Sequence, residues 1–272
     1  MTLRVLVRGG GDVASGAILR MHRAGWQVLV TELERPLAVR RFVSFAQAVY
    51  DGEMRIEETA ARRAADMAAA QAAFQAGVVP VMVDPRLEAL EIFRPHVIVD
   101  GRMRKQAPEI GMDAALLTIG LGPGFTAGVN CHAVVETHRG PFLGRVIWEG
   151  TALPDTGIPE RVGAYQAERV LRAPVEGTLE ALAEIGDQLL AGQVVARVGG
   201  EPVTTPFDGV LRGLVMHGLR VRGGEKIGDV DPRGDARLCW LVSDKALAVG
   251  GGVLEAVLAC AALRPYIGEA NL

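Results

Sequence analysis

This chain of 272 residues has little net charge, few cysteines and almost no lysine. Its 29 Lys and Arg stand against 32 Asp and Glu, a formal charge of −3. Such a balance leaves no electrostatic footprint for nucleic acid or an anionic membrane. The three cysteines, Cys131, Cys239 and Cys260, are odd in number and lack C-x-x-C spacing, which excludes a disulfide framework and indicates no metal site. A reducing cytoplasm is the expected compartment. No apolar run approaches the ~18 residues of a membrane span, and a first strand begins within a few residues of Met1, so neither a span nor a signal peptide is expected. Lysine occurs only at Lys105, Lys226 and Lys245.

Glycine is what the chain has, 34 residues of it, concentrated at strand ends. Arg8-Gly9-Gly10-Gly11-Asp12-Val13-Ala14-Ser15-Gly16 follows the apolar run Val5 to Val7 and opens a helical pattern. Gly9, Gly11 and Ala14 fit G-x-G-x-x-G/A, in which the glycines let the backbone approach a phosphate and the following helix aims N–H groups at it. Gly9, Gly10, Gly11, Asp12, Val13, Ala14 and Ser15 are therefore candidate binding residues. A second apolar run, Val28 to Val30, leads to Glu32, about twenty residues past the loop, where a ribose 2′-OH would be met. Asp12 would repel an anion unless it caps the helix instead. NAD(P), a mononucleotide and a phosphorylated cofactor precursor all fit this arrangement.

Further along, Arg40 and Arg41 can reach a phosphate or pair with nearby acids. Residues 57 to 76 are almost all helix-forming and stop at Gly77, which predicts a packing helix. Val78 to Val83 and Val97 to Val99 read as buried strands ending in Asp84 and Asp100. In an open parallel sheet, functional residues gather beyond the carboxyl ends of strands, where Glu32, Asp84 and Asp100 would lie. Asp100 begins Asp-Gly-Arg-Met-Arg-Lys, in which Asp100, Arg102 and Lys105 suit a polyphosphate, with Arg as a bidentate clamp and Lys as a point charge. After a strand at Leu116 to Ile119, residues 120 to 128 form a second glycine loop in which Gly122 and Gly124 are candidate contacts. Cys131 is a candidate thiol or a buried small side chain; Asp100, Lys105 and Cys131 are the catalytic candidates. Glu136, His138 and Arg139 end a further strand. Leu238 to Val242 reads as another, before Gly250-Gly251-Gly252 and an apolar helix from Val253 to Leu263. That third glycine run can bind an anion or permit close packing.

Residues 174 to 231 hold a repeat. Pro174, Gly177, Leu179, Gly186, Gly192 and Val198 recur, each 32 positions on, as Pro206, Gly209, Leu211, Gly218, Gly224 and Val230. Two glycine-punctuated halves predict a small pseudo-twofold β sandwich. The pattern resembles the barrel-sandwich hybrid of biotinyl and lipoyl carriers, which present a modified lysine on the hairpin between the halves. Here that hairpin is Gly199-Gly200-Glu201-Pro202, so neither biotin nor lipoate is carried. Packing on the first domain, an oligomer contact or docking of a partner remain as roles for the sandwich.

The expected fold class is α/β, a Rossmann-like parallel sheet with a second, smaller all-β barrel-sandwich hybrid. The domains run 1–168, 169–232 and 233–272, the last packing back on the first. Six segments in order resemble the YqeB-type accessory proteins of bacterial (selenium-dependent) molybdenum hydroxylases: residues 8–16, Ala-Val-Tyr-Asp-Gly at 48–52, Val-Asp-Gly-Arg-Met-Arg-Lys at 99–105, Gly-Leu-Gly-Pro-Gly-Phe at 120–125, Val-Val-Glu-Thr-His-Arg-Gly at 134–140, and Gly-Gly-Val-Leu-Glu-Ala at 251–256. The resemblance implies a cytoplasmic maturation factor that binds a nucleotide or pterin nucleotide and prepares or inserts it, with the hydroxylase or other maturation factors as partners. An NAD(P)-dependent redox enzyme acting on that cofactor or its sulfur or selenium ligand, and a non-catalytic adaptor, are the alternatives. Enzyme and chaperone need the same phosphate-binding parts, and the residues assign no general base.

Overall fold

A computed structural model describes residues 2–104, 106–157 and 161–267. The chain divides into two compact units. Met1–Pro36, Ser44–Asp155 and Val242–Leu272 form the first, Leu37–Val43 and Thr156–Leu241 the second. The sequence divisions fall after 168 and 232, whereas the units divide after 155 and 241 and the second also takes in Leu37–Val43.

The first unit is mixed α/β. Its strands are β1 (Arg4–Arg8), β2 (Gln27–Glu32), β3 (Glu53–Ile56), β4 (Thr59–Ala64), β5 (Val79–Val83), β6 (Val97–Asp100), β7 (Leu117–Leu121), β8 (Thr126–Ala127), β9 (Ala133–Val135), β10 (Val146–Ile147) and β11 (Gly150–Thr151). Its helices are α1 (Asp12–Arg23), α2 (Ala48–Asp51), α3 (Met67–Gln75), α4 (Ala89–Phe93) and α5 (Asp244–Ala259). Nine strands make one sheet in the order β10-β9-β7-β6-β1-β2-β5-β4-β3. The interior pairings are parallel, and only the edge pairs β3–β4 and β9–β10 are antiparallel. Unbroken Val-Leu-Val and Val-Ile-Val runs suit strands covered on both faces, which is what a parallel interior demands. On one face Ala14, Ala17, Ile18 and Met21 of α1 join Ala246, Val249, Val253 and Val257 of α5 in a single core. β1 lies between β2 and β6: the chain leaves β1 for β2 on one side, fills that side through β3, β4 and β5, and then crosses to β6 on the other. The strand order therefore reverses at β1 and β6.

Three sequence expectations are corrected. Residues 57 to 76 are not one helix: β4 occupies Thr59–Ala64, pairing with β5 on one side and β3 on the other, and α3 begins only after Asp66, whose carboxylate accepts from Ala69 N at 2.8 Å. Alanine's helix preference, worth a few tenths of a kcal/mol per residue, yields there to sheet pairing and to a cap worth ~1 kcal/mol. Leu238 to Val242 is not a strand, because Asp235 accepts from Arg237 N at 3.0 Å and starts a 3₁₀ turn over Ala236–Cys239. Gly250 to Gly252 do not precede a helix. They sit inside α5, whose cap is Ser243, accepting from Ala246 N at 3.1 Å.

The second unit contains β12 (Val170–Arg172), β13 (Gly177–Ala181), β14 (Gln188–Leu189), β15 (Val194–Val198), β16 (Glu201–Thr204), β17 (Gly209–Leu214), β18 (Arg220–Val221) and β19 (Lys226–Asp231). They form two antiparallel sheets, β12-β19-β17-β14 and β16-β15-β13-β18. The sequence repeat is a repeat of structure, since β13, β14 and β15 correspond to β17, β18 and β19. Each half lends its short strand to the other: Gln188 pairs with Val210 and Arg220 with Thr178, the same exchange displaced by 32 positions. Leu179 and Leu211, like Val198 and Val230, are fully buried, so the repeated apolar positions are the core. Gly192 and Gly224 take φ of +81° and +79°, a left-handed turn that both halves need.

Candidate functional site

The glycine turn leaves β1 at the point where strand order reverses, the place where open α/β sheets leave a crevice beyond their carboxyl ends. Gly9 takes φ of +86°, and a Cβ on it would stand 3.0 Å from Arg102 Cγ. A Cβ on Gly10 would stand 2.8 Å from Ala46 N, which donates to Gly10 O at 2.9 Å. Gly11 differs: it has φ of −67°, and a Cβ there would meet nothing within 4 Å. The space over the start of α1 is open at Gly11. Asp12 is the first helical residue and does not cap the helix; Gly11 holds that position without a side-chain bond. Ser15 is buried and tied down, donating to Gly10 O and accepting from Phe45 N, both at 3.1 Å. Ala14 is buried against Gly101, and Val13 is half-buried, packed on the core. Ser15 and Ala14 thus shape the loop from behind.

Glu32 ends β2 with its carboxylate turned to the loop. Oε1 accepts from Gly10 N at 2.6 Å and Oε2 from Leu33 N at 2.9 Å. Those bonds use about two of the four lone-pair sites of a carboxylate and leave the rest for a ligand hydroxyl. Burial pushes the Glu32 carboxyl above its ordinary value despite both bonds.

Arg8 and Asp100 are register partners at the ends of β1 and β6. The Arg102 guanidinium grips Asp100, with Nε to Oδ1 at 2.9 Å and Nη2 to Oδ2 at 2.6 Å, and Arg8 Nη1 lies 3.5 Å from Oδ2. A second carboxylate closes the cluster. Glu109 accepts from Arg8 Nη1 at 3.0 Å, from Arg102 Nη2 at 2.6 Å, and from Arg104 Nη1. Three guanidiniums therefore converge on one carboxylate whose side chain is 51% exposed, whereas those of Arg8 and Asp100 are each 6% exposed. The hydrogen bond from Arg102 holds the Glu109 carboxyl well below its ordinary value. Burial draws the Arg102 guanidinium down, but its bonds to Asp100 and Glu109 outweigh that and raise it. Glu32 and Glu109 thus act oppositely on stability. The contribution of Glu32 is full in acid and is lost as pH rises through its raised value; that of Glu109 is present above the ordinary carboxylate range and is lost in strong acid.

Sequence reasoning found Asp100 and Arg102, with Arg104 as the second guanidinium of the same Asp100–Lys105 group, but missed Arg8 and Glu109. A charged residue closing the apolar run of β1 is the signal for Arg8. Nothing local marks Glu109, which meets Arg8 across 101 positions. Lys105 lies outside the described residues.

The other candidates serve the fold. Asp84 accepts from Glu88 N and Ala89 N, both at 2.9 Å, at the start of α4. Glu136, 2% exposed, accepts from Thr137 N, His138 N and Leu153 N, each at 2.7 Å. Arg139 reaches Asp244 at 2.5 Å. Arg40 donates to the carbonyls of Leu238 and Leu241, and Arg41 to that of Leu214, so backbone oxygens hold both. In the second glycine loop, the place of a Cβ on Gly120 is taken by the Phe125 ring and that on Gly122 by Thr137 Oγ1; Gly124 takes φ of +104°. Cys131 is 2% exposed, and burial pushes its thiol up to about 11, the setting of an inert structural cysteine. Iodoacetamide at pH 8 is expected to alkylate the half-buried Cys260 at least ~100-fold faster than Cys131, as peptide mass spectrometry would read; preferential labelling of Cys131 would restore it as a nucleophile. Among the described residues, no cluster of His, Cys, Asp and Glu is set to hold a metal ion, and no helix is long and apolar enough to cross a membrane.

No protein-family model matches the chain. It is similar to the "Uncharacterized protein YqeB" of Escherichia coli (strain K12), 46% identical over 254 residues. The match takes in 93% of this chain and 47% of that protein, so the chain spans about half the length of the curated relative it matches. This supports the YqeB relationship. Among solved structures, an aspartoacylase family protein from Mesorhizobium loti is similar at 12% identity and TM-score 0.28, covering 85% of each chain. A succinylglutamate desuccinylase/aspartoacylase from Rhodobacter sphaeroides is similar at 17% identity and TM-score 0.27, covering 86% of this chain and 87% of that one. Likeness at that level says nothing of the chemistry here.

Proposed function

Taking the relationship to YqeB as premise, we propose that this chain binds a phosphate-bearing ligand at the carboxyl ends of β1, β2 and β6. The ligand is a nucleotide or the pterin-nucleotide form of the molybdenum cofactor, held as cargo that the protein prepares or helps insert into a molybdenum hydroxylase. One observation carries the phosphate reading: Arg8, Arg102 and Arg104 converge on Glu109 beside Gly9–Gly11. An exposed carboxylate held by three guanidiniums stands where a phosphate group would be held. With Glu109 displaced, three positive charges face Asp100 alone, an excess of two that matches a phosphate dianion. Gly11 leaves room for the ligand over α1, and Glu32 offers acceptors to its hydroxyl or amino groups.

The molybdenum hydroxylase, the selenium connection and a cytoplasmic setting rest on the resemblance of the six segments. In the same reading the first unit is Rossmann-like, with its ligand at the strand-order reversal. The second is a barrel-sandwich hybrid whose hairpin carries Glu201 and Pro202 in place of a modified lysine, and so a docking or assembly module rather than a swinging arm. Asp100 is occupied by Arg102, and Cys131 is held as a thiol. The site is therefore built for binding rather than for covalent or thiol redox chemistry.

Thermal shift with NAD, NADP, ATP, CTP and pterin nucleotides tests this, because a ligand of the folded state raises Tm. The control is Gly11→Val, whose side chain enters open space from an extended backbone, so the fold is kept while the room over α1 is filled. Stabilisation by CTP or a pterin nucleotide, lost in the variant, is expected. Stabilisation by a nicotinamide nucleotide alone would give the site to a redox enzyme, and no shift from any of these ligands would overturn phosphate binding.

A further inference from the structure

Helices α1 and α3 end in the same way. Gly25 after α1 and Gly77 after α3 take φ of +80° and +67°, left-handed stops that bend the chain into β2 and β5, which are neighbours in the sheet. A Cβ on either glycine would meet nothing within 4 Å. The two corners leave a hollow where these strands begin. It lies at the end of the sheet opposite the glycine turn of β1, about 15 Å away along α1.

The hollow has a volume of about 190 Å³. An apolar cavity of ~150 Å³ admits one benzene ring, and drug-sized ligands need ~300 Å³ or more, so the room here is that of a single substituted ring. Trp26, Phe74, Val28 and Val78 line it, and His22 of α1 is the titratable side chain in its wall. Phe74 is fixed from behind by stacking on Phe93, with ring centroids 5.7 Å apart. Burial holds the His22 ring below its ordinary value, outweighing a hydrogen bond to the Gly77 backbone that favours the charged form. A neutral imidazole has one N–H and one bare nitrogen. With the N–H given to the Gly77 carbonyl, the bare nitrogen is left as an acceptor beside an apolar, ring-sized space.

We propose that this hollow is a site for a small hydroxylated aromatic ring of the phenol class, separate from the site of the phosphate-bearing ligand and independent of it. The ring packs against Trp26, Phe74 and Val28, and its hydroxyl donates to the bare His22 nitrogen. A hydrocarbon ring of the same size leaves that nitrogen desolvated and unpaired, so the site rejects the analogue that lacks the hydroxyl. A saturated alcohol of the same size makes the bond but forgoes the ring–ring contacts.

The test is an NMR titration of the full chain with phenol, toluene and cyclohexanol, repeated on His22→Phe and Val78→Phe. Phenol is expected to saturate at one per chain, to show nuclear Overhauser contacts to the Trp26 ring, and to bind about tenfold more tightly than toluene, the loss expected when a buried acceptor goes unpaired. His22→Phe keeps a ring in the wall without the acceptor and should bring phenol to the level of toluene. Val78→Phe sends a larger side chain into the hollow from a half-buried position and should remove both. Toluene or cyclohexanol bound as tightly as phenol, phenol bound without contact to Trp26 or unaffected by Val78→Phe, or no saturable binding would each overturn the proposal. The three probes and the Trp26 contacts decide this on the unaltered chain even if neither variant folds.

Discussion

Gly16→Ala, the addition of one methyl group, is expected to destabilise the first unit by about 3 kcal/mol or more, at the upper end of overpacking costs. Helices α1 and α5 cross with their backbones in contact. A Cβ on Gly16 would overlap the Ala246 carbonyl, and one on Gly250 would overlap the carbonyl of Gly16. Neither obstacle is a side chain that can turn away, so relief requires the helices to separate along a core that includes Ile18, Met21, Val249 and Val253. Against a total stability of 5–15 kcal/mol, such a loss will appear as a large drop in Tm or as insoluble protein. The run in α5 supplies its own control. Gly252 packs on the Gly144 carbonyl, but a Cβ on Gly251 meets nothing. Gly251→Ala is therefore expected to stabilise the protein by about 0.5–1 kcal/mol, the helix preference of alanine over glycine, while Gly250→Ala and Gly252→Ala destabilise it. If all three alanines behaved alike, the crossing would not be as close as described.

That contrast shows what the sequence could disclose. The first strand, the glycine turn, the first helix and Glu32 are legible because each signal is local: a β-branched run, a turn residue, a helical period, an acid at a strand end. The repeat of the second unit is legible for the same reason, since its glycines take left-handed turns in both halves and its leucines and valines fill one core. Signals failed where a partner far along the chain decided the outcome. Helix preference over residues 59–64 gave way to β3 and β5, and Gly250 was free for ligand or packing until α1 was placed against it. Within the site, Asp100 and Arg102 are two residues apart and could be read together. Glu109 could not, because its meaning depends on Arg8, brought near only when β1 and β6 pair.

The role of Glu109 is decided by a pair of substitutions with opposite expected signs. Arg102→Met removes the guanidinium that both holds Glu109 and would hold the phosphate, and should weaken binding of the phosphate-bearing ligand by about 10²–10³-fold, the sum of two charge-assisted hydrogen bonds. It also leaves Asp100, buried, with no side-chain partner nearer than Arg8 at 3.5 Å beside the backbone N–H of residue 102 at 3.3 Å, so Tm should fall and affinity must be read well below it. Glu109→Gln keeps the shape of the side chain but removes the charge that occupies the cluster. An occupied site taxes affinity by the fraction of time it is closed, so freeing it should raise affinity about tenfold. The two effects share one locus and cannot add: in the Arg102→Met background the gain from Glu109→Gln should vanish, as titration calorimetry on the four proteins of the cycle would show. If Glu109→Gln instead weakened the ligand as Arg102→Met does, Glu109 would be a prop that aims the arginines. The phosphate would then lie beyond it, toward Gly11.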